Sequence, residues 1–206
     1  YEMPYWLISL ETKKFDQIYH EHVSYFTVKS SKELLSRVNM KIFDIEVVDY
    51  HGGSLRVYAK RNEDINEESL KVKEMIENEM SKGVFEIGTY KRFNEEILKQ
   101  RNEFLRNIYE IKSQGHKIIG VGAAAKANTF LKFYNLDSSV LDYVTDASPH
   151  KQGKYTPLTR IPIVGDEVFS KYDSPYALIL SWNISDSLKN ILYKINPNIQ
   201  FLSLPN

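Results

Sequence analysis

The spacing of apolar residues changes character along the chain, and each change marks a structural expectation. Residues 5–10 (YWLISL) are an apolar run suited to a short strand or the start of a helix. In residues 30–39 (SSKELLSRVN), Leu34, Leu35 and Val38 fall on one helical face, with Ser30 or Ser31 as a cap. Residues 41–50 (KIFDIEVVDY) have strand propensity, and HGG at 51–53 signals a turn. Residues 54–60 alternate Leu55, Val57 and Ala59 on one face of a strand. The first part of the chain is therefore expected to form a helix followed by an antiparallel hairpin.

Residues 62–82 and 89–114 carry the pattern of two charged amphipathic helices, broken by KGVFEIG. In the second, Phe93, Ile97, Phe104, Leu105, Ile108 and Ile111 recur at helical spacing. Their charge predicts a helical linker over 63–114, between a part ending near residue 62 and a domain over 115–206, with the 88–114 helix packed on that domain. From 115 the pattern predicts strand (117–121), helix (124–134), strand (VLDYVTD), short strand (161–164), helix (DEVFSKY), strand (176–181), helix (SDSLKNILYKIN) and a final strand (QFLSLP). Strands alternating with helices predict an α/β domain built on a doubly wound parallel sheet.

Composition narrows the function classes. The 206 residues are 42% hydrophobic and 26% charged, with 27 Lys plus Arg against 27 Asp plus Glu. A balanced charge gives no electrostatic reason to expect nucleic acid or an anionic membrane as partner. No cysteine is present, which excludes disulfides, thiolate zinc sites and cysteine nucleophiles within this chain. No apolar run reaches the ~18 residues that span a bilayer, and the cytoplasm is the expected location. The chain opens on YEMPYWLISLE without an initiator Met, which predicts that it is part of a longer protein.

The densest chemistry lies in FDQIYHEHVSYF, residues 15–26. Tyr19, His20, Glu21 and His22 could serve as general acid/base groups, since histidine titrates near neutrality and a carboxylate can orient it. HxH could also chelate a metal, although no HExxH pattern accompanies it. A half-buried strand histidine bonded to backbone is the third reading. On a strand, Tyr19 and Glu21 point away from His20 and His22; an irregular turn would let Tyr19, Glu21 and His22 converge. In HGGS (51–54), His51 could line a site or cap the turn.

The second half offers a Gly-containing strand-to-helix turn, GVGAAAKANT, where Lys126 adds a positive charge. The third glycine of GxGxxG is replaced by Ala125, so the dinucleotide fingerprint is weak and an NAD-dependent oxidoreductase is disfavoured. Asp146 ends the next strand, where an acid can bind ribose hydroxyls. It opens a long polar loop, DASPHKQGKYTPLTRIPIV, that includes Lys151, Tyr155 and Arg160. Such a loop beyond a strand's carboxyl end suits either a diphosphate or plain solvent. Trp182, in SWN, is expected in the core more than stacked on a ligand.

Five blocks in order carry a resemblance: FDQIYHEHVSYF, VVDYHGGSLRVYAKR, IIGVGAAAKANTFLKF, DASPHKQGKYTPLTRIPIVGDE and LILSWN. Together they resemble the S-adenosylmethionine-dependent sugar C-methyltransferases, which act on nucleotide-linked keto sugars. The resemblance implies a small N-terminal zinc-binding domain, a central Rossmann-like methyltransferase domain and a C-terminal Rossmann-like α/β domain. Residues 1–62 would be the tail of the central domain. The zinc cysteines and the Gly-rich loop for S-adenosylmethionine are not in this sequence, so the resemblance implies a fragment that is inactive alone, holds no metal and is compatible with a monomer. It assigns Tyr19, Glu21 and His22 to catalysis: His22 as the base that forms an enolate, Glu21 and Tyr19 as its partners. Lys126, Lys151, Tyr155, Arg160 and His51 become candidate substrate contacts. The alternative is a non-catalytic module that binds a nucleotide or nucleotide-sugar.

Overall fold

The computed structural model describes residues 1–50, 52–65 and 67–202. The chain divides into two compact units, Tyr1–Ile97 and Leu98–Asn206. In the first, strand β1 (Glu2–Pro4) leads into helix α1 (Trp6–Glu11), a 3₁₀ turn (Phe15–Gln17), helix α2 (Val28–Ser36), strands β2 (Met40–Val48) and β3 (Ser54–Arg61), and helix α3 (Leu70–Ser81). β2 and β3 form the expected antiparallel hairpin, and β1 adds on the other side of β3 to give the order β1-β3-β2. Leu55 and Val57 turn inward and are almost fully buried, as their alternation requires, and Ile42 and Ile45, three residues apart, are buried with them because the register shifts between Ile42 and Asp44.

Helix α2 starts earlier than the serine caps at 30 or 31 predict. Thr27 caps it: its hydroxyl accepts from Ser30 N–H, and the Ser30 hydroxyl accepts from Thr27 N–H. The helix then ends at Ser36, and Val38, expected on the buried face, is 64% exposed. Leu35 is buried, while Leu34 is exposed.

The stretch predicted as linker does more than connect. On α3, Val72 is fully buried in the core of the first unit, with Met75 and Ile76 packed against it. Helix α4 (Ile87–Ser113) contributes Tyr90 and Phe93 to the same core. Its later residues serve the second unit, where Phe104 meets Phe130 and Tyr134 and Arg101 donates to the Phe133 carbonyl.

The second unit is an α/β sheet. Its elements are β4 (Ile118–Val121), α5 (Ala125–Phe133), β5 (Tyr143–Thr145), β6 (Ile163–Val164), β7 (Tyr176–Ile179), α6 (Ser185–Ile195) and β8 (Gln200–Leu202). All neighbouring strands are parallel, in the order β6-β5-β4-β7-β8. The chain runs outward from β4 through β5 and β6, then crosses to β7 and β8. The strand order therefore reverses between β4 and β7. DEVFSKY forms a 3₁₀ helix, Asp166–Lys171, and not an α-helix. No helix among the described residues is long and apolar enough to cross a membrane.

Candidate active site

The FDQIYHEHVSYF segment is neither strand nor helix. After α1 the backbone passes through a left-handed Lys13 and the 3₁₀ turn, and Ile18 N–H closes on the Phe15 carbonyl. A second turn follows, in which His22 N–H donates to the Tyr19 carbonyl at 3.0 Å. Trp6 N–H then fixes the Phe26 carbonyl at 3.0 Å, just before Thr27 opens α2. The double turn cancels the alternation that a strand would impose.

Tyr19, Glu21 and His22 consequently lie together. The Tyr19 hydroxyl donates to Glu21 Oε2 at 3.1 Å, and the rings of Tyr19 and His22 are 4.5 Å apart. His22 Nδ1 sits 2.9 Å from the Gln17 carbonyl. A carbonyl can only accept, so the neutral imidazole must carry its hydrogen on Nδ1 and its lone pair on Nε2. Partial burial, and then the bond to Glu21, push the Tyr19 phenol above the ordinary tyrosine range. It therefore remains a hydrogen-bond donor at neutral pH. The Tyr25 ring stands between His22 and Trp6, at 6.5 and 5.1 Å, and Trp6 Nε1 donates to the Tyr90 hydroxyl. His20 is exposed, its ring edge-on to Tyr19. His51 lies outside the described residues.

In the second unit, the carboxyl edge of the sheet is occupied by the protein's own groups. Asp146 Oδ2 accepts from Ala123 N–H in the β4–α5 turn at 3.0 Å and from Lys151 Nζ at 2.8 Å. Its Oδ1 accepts from Ser148 N–H, and Lys151 donates also to the Ala123 carbonyl. Burial acts to raise the Asp146 carboxyl, but Lys151 and the two N–H groups outweigh it and hold it below the usual range. Lys126 is buried, with Nζ 2.8 Å from Asn183 Oδ1 and 4.0 Å from the centre of the Trp182 ring. Tyr155 and Arg160 are exposed on the loop between β5 and β6.

Residues 49–201 match the C-methyltransferase C-terminal domain family, about three-quarters of the chain. The chain belongs to this family. C-methyltransferase NovU of Streptomyces niveus is 31% identical over 187 residues, which cover 91% of this chain and 44% of that protein. The chain thus spans less than half the length of this relative.

Within this C-methyltransferase C-terminal domain chain, the range matched by the family includes Lys126, Lys151, Tyr155 and Arg160 but begins after Tyr19, Glu21 and His22. S-adenosylmethionine, the methyl donor implied by the family, does not fit the β4–α5 turn. The acid that could hold its ribose hydroxyls is Asp146, and both Asp146 oxygens are engaged by Ala123, Ser148 and Lys151. Gly122 serves packing: a Cβ there would lie 2.1 Å from Ser181 Oγ. Among the described residues no group of three or more His, Asp or Glu could hold a metal ion. Sequence reasoning missed two features of the first unit around these residues. The Gln17 carbonyl is backbone, invisible to any side-chain motif. Glu79 is one acid among several on α3, and only its burial, 0% exposed, distinguishes it.

Proposed function

We propose that the chain is part of an S-adenosylmethionine-dependent C-methyltransferase that methylates the carbon beside a keto group on a nucleotide-linked deoxysugar. His22 is the base. Its Nε2 lone pair takes the proton from that carbon; the C–H electron pair forms the enolate double bond, and the carbonyl π pair moves to oxygen. The Tyr19 hydroxyl, which rests on Glu21, turns its single hydrogen from that carboxylate to the enolate oxygen as the charge develops there. The imidazolium that results keeps its Nδ1–H on the Gln17 carbonyl. The enolate carbon is then a nucleophile for a methyl group. No residue of this chain is assigned to S-adenosylmethionine, and none to zinc.

The observation that carries this reading is the His22 Nδ1 to Gln17 carbonyl contact, which aims a lone pair rather than a hydrogen away from the backbone. The test is deuterium wash-in at the carbon beside the keto group of a nucleotide-linked keto sugar in D2O, catalysed by the complete enzyme. His22→Ala should abolish wash-in and methyl transfer while S-adenosylmethionine still binds. Turnover retained by His22→Ala would remove His22 from the role of base.

A second reading is favoured by exposed Tyr155 and Arg160 on the loop beyond the sheet's carboxyl edge. In it the second unit is a Rossmann-like module that binds a nucleotide or nucleotide-sugar without catalysing. Tyr155 would supply a stacking face and Arg160 a phosphate contact. Lys126 and Lys151 would join only by exchanging partners they already hold. Thermal stabilisation of the chain by nucleoside diphosphate, lost in Tyr155→Ala and Arg160→Ala, would support this reading. The same melting temperature with and without nucleotide would count against it.

A further inference from the structure

At the start of α2, just after the FDQIYHEHVSYF segment, lies a fully buried carboxylate that the chemistry above does not use. Glu79, on α3, is 0% exposed. Its Oε1 accepts from the Tyr5 hydroxyl at 3.0 Å and from Val28 N–H, and its Oε2 accepts from Lys29 N–H at 3.1 Å. Val28 and Lys29 are the first two residues of α2, and Thr27 takes the N–H of the third, Ser30. The three leading N–H groups of α2 are thus satisfied, two of them by Glu79. A carboxylate at this end also complements the helix dipole. Burial, followed by the charge of Glu79, pushes the Tyr5 hydroxyl well above the tyrosine range, so it stays a donor.

The groups gripped by Glu79 frame the candidate active site on both sides. Tyr5 precedes α1 and is bridged to Phe26, at the far end of the segment. Its neighbour Trp6 holds the Phe26 carbonyl through its backbone and the Tyr25 ring through its indole. Tyr25 in turn packs edge-on to His22, and its hydroxyl approaches the Gln17 carbonyl that accepts from His22. An unbroken series of contacts therefore runs from Glu79 through Tyr5, Trp6 and Tyr25 to the imidazole.

We propose that Glu79 is a positioning residue for His22: it locks the start of α1 to the start of α2, and so fixes the double turn that presents Nε2. This inference rests on the enolate-forming reading for its catalytic consequence, but not for its structural content. Glu79→Gln keeps the size of the side chain. It turns an amide N–H₂ toward N–H groups that need an acceptor, so one of the two α2 donors loses its partner.

The experiment is ¹⁵N NMR of histidine-labelled full chain, with deuterium wash-in measured on the same preparations. Wild type is expected to show His22 as a single Nδ1–H tautomer. Glu79→Gln is expected to show a mixture of both tautomers and a wash-in rate about ten- to a hundredfold lower. Tyr5→Phe, which removes one donor and leaves the carboxylate on α2, covers the case in which Glu79→Gln fails to fold, and should shift the His22 signature in the same direction by less. A folded Glu79→Gln chain, or a Tyr5→Phe chain, with an unchanged His22 signature overturns the proposal and leaves Glu79 a helix cap only. A changed signature in a protein whose wild type shows no wash-in sustains the positioning role and rejects the enolate reading instead.

Discussion

His22 and Gln17 meet through an imidazole nitrogen and a backbone carbonyl, 2.9 Å apart. The contact spans five residues and closes the double turn from inside, so the backbone itself dictates the imidazole's tautomer. A side-chain partner could rotate away; a carbonyl held in a 3₁₀ turn has far less freedom. The neutral form of His22 should therefore appear in ¹⁵N spectra with Nδ1 protonated and Nε2 bare. A spectrum with Nε2 protonated would mean that Nδ1 is not bound to Gln17 in solution.

Tyr19 supplies the second test. Its hydroxyl is 3.1 Å from Glu21 Oε2, and burial followed by that carboxylate keeps it protonated above the ordinary tyrosine range. Tyr19→Phe removes the donor and leaves the ring against His22. If the hydroxyl stabilises an enolate oxygen, wash-in should fall by about a hundredfold or more, the usual loss for one donor to a developing oxyanion. Substrate affinity should change little, because the oxygen carries its full negative charge only after the proton has left. A rate within about twofold of wild type would assign Tyr19 to packing.

The Asp146–Lys151 pair gives the second unit a definite response to pH. Asp146 is held below its unfolded value, so it binds fewer protons in the folded state than in the unfolded chain at mildly acid pH. Its contribution is fully present above the unfolded carboxylate range and is lost as pH falls through the lower folded value. Asp146→Asn should cost about 1–3 kcal/mol at pH 7, from charge-assisted hydrogen bonds to Lys151 and the turn N–H groups. Urea melts should show that difference shrinking steadily below pH 5. A difference independent of pH would mean that Asp146 acts through shape alone.

The elements that sequence patterning brought out are those whose own side chains decide them. Leu55 and Val57 alternate, and β3 follows; Ile118, Ile119 and Val121 are a short apolar run, and a buried parallel strand follows. Patterning failed where a distant group decides. Val38 continues the helical period of Leu34 and Leu35, yet α2 has already ended: Val38 N–H closes a turn on the Leu35 carbonyl and Asn39 takes a left-handed backbone. The types of residue at Tyr19, Glu21 and His22 signalled acid/base chemistry, but their convergence depends on the Gln17 carbonyl and the anchoring of Phe26. Lys151 looked like a cation ready for phosphate, and the fold directs it onto Asp146. Glu79 sits among Lys73, Glu74 and Glu77 in a helix whose charge suggested solvent, and it is held by the start of α2, 50 and 51 residues upstream.

Gly122 tests whether the β4–α5 turn is a ligand cradle or a packing device. Its φ is +92°, which disfavours any side chain, and an added Cβ would lie 2.1 Å from Ser181 Oγ and 2.8 Å from Ser181 Cβ. The close approach joins the ends of β4 and β7, where Ser181 N–H reaches the Val121 carbonyl. Gly122→Ala should therefore destabilise by about 2–5 kcal/mol, the sum of a left-handed backbone penalty and an overpacking penalty. Ser181→Gly in the same chain removes both clashing atoms but leaves the backbone penalty. The double variant should accordingly recover the overpacking share only, a coupling that chemical denaturation of the four proteins would measure. Independent, additive effects would mean that Ser181 is not what Gly122 makes room for.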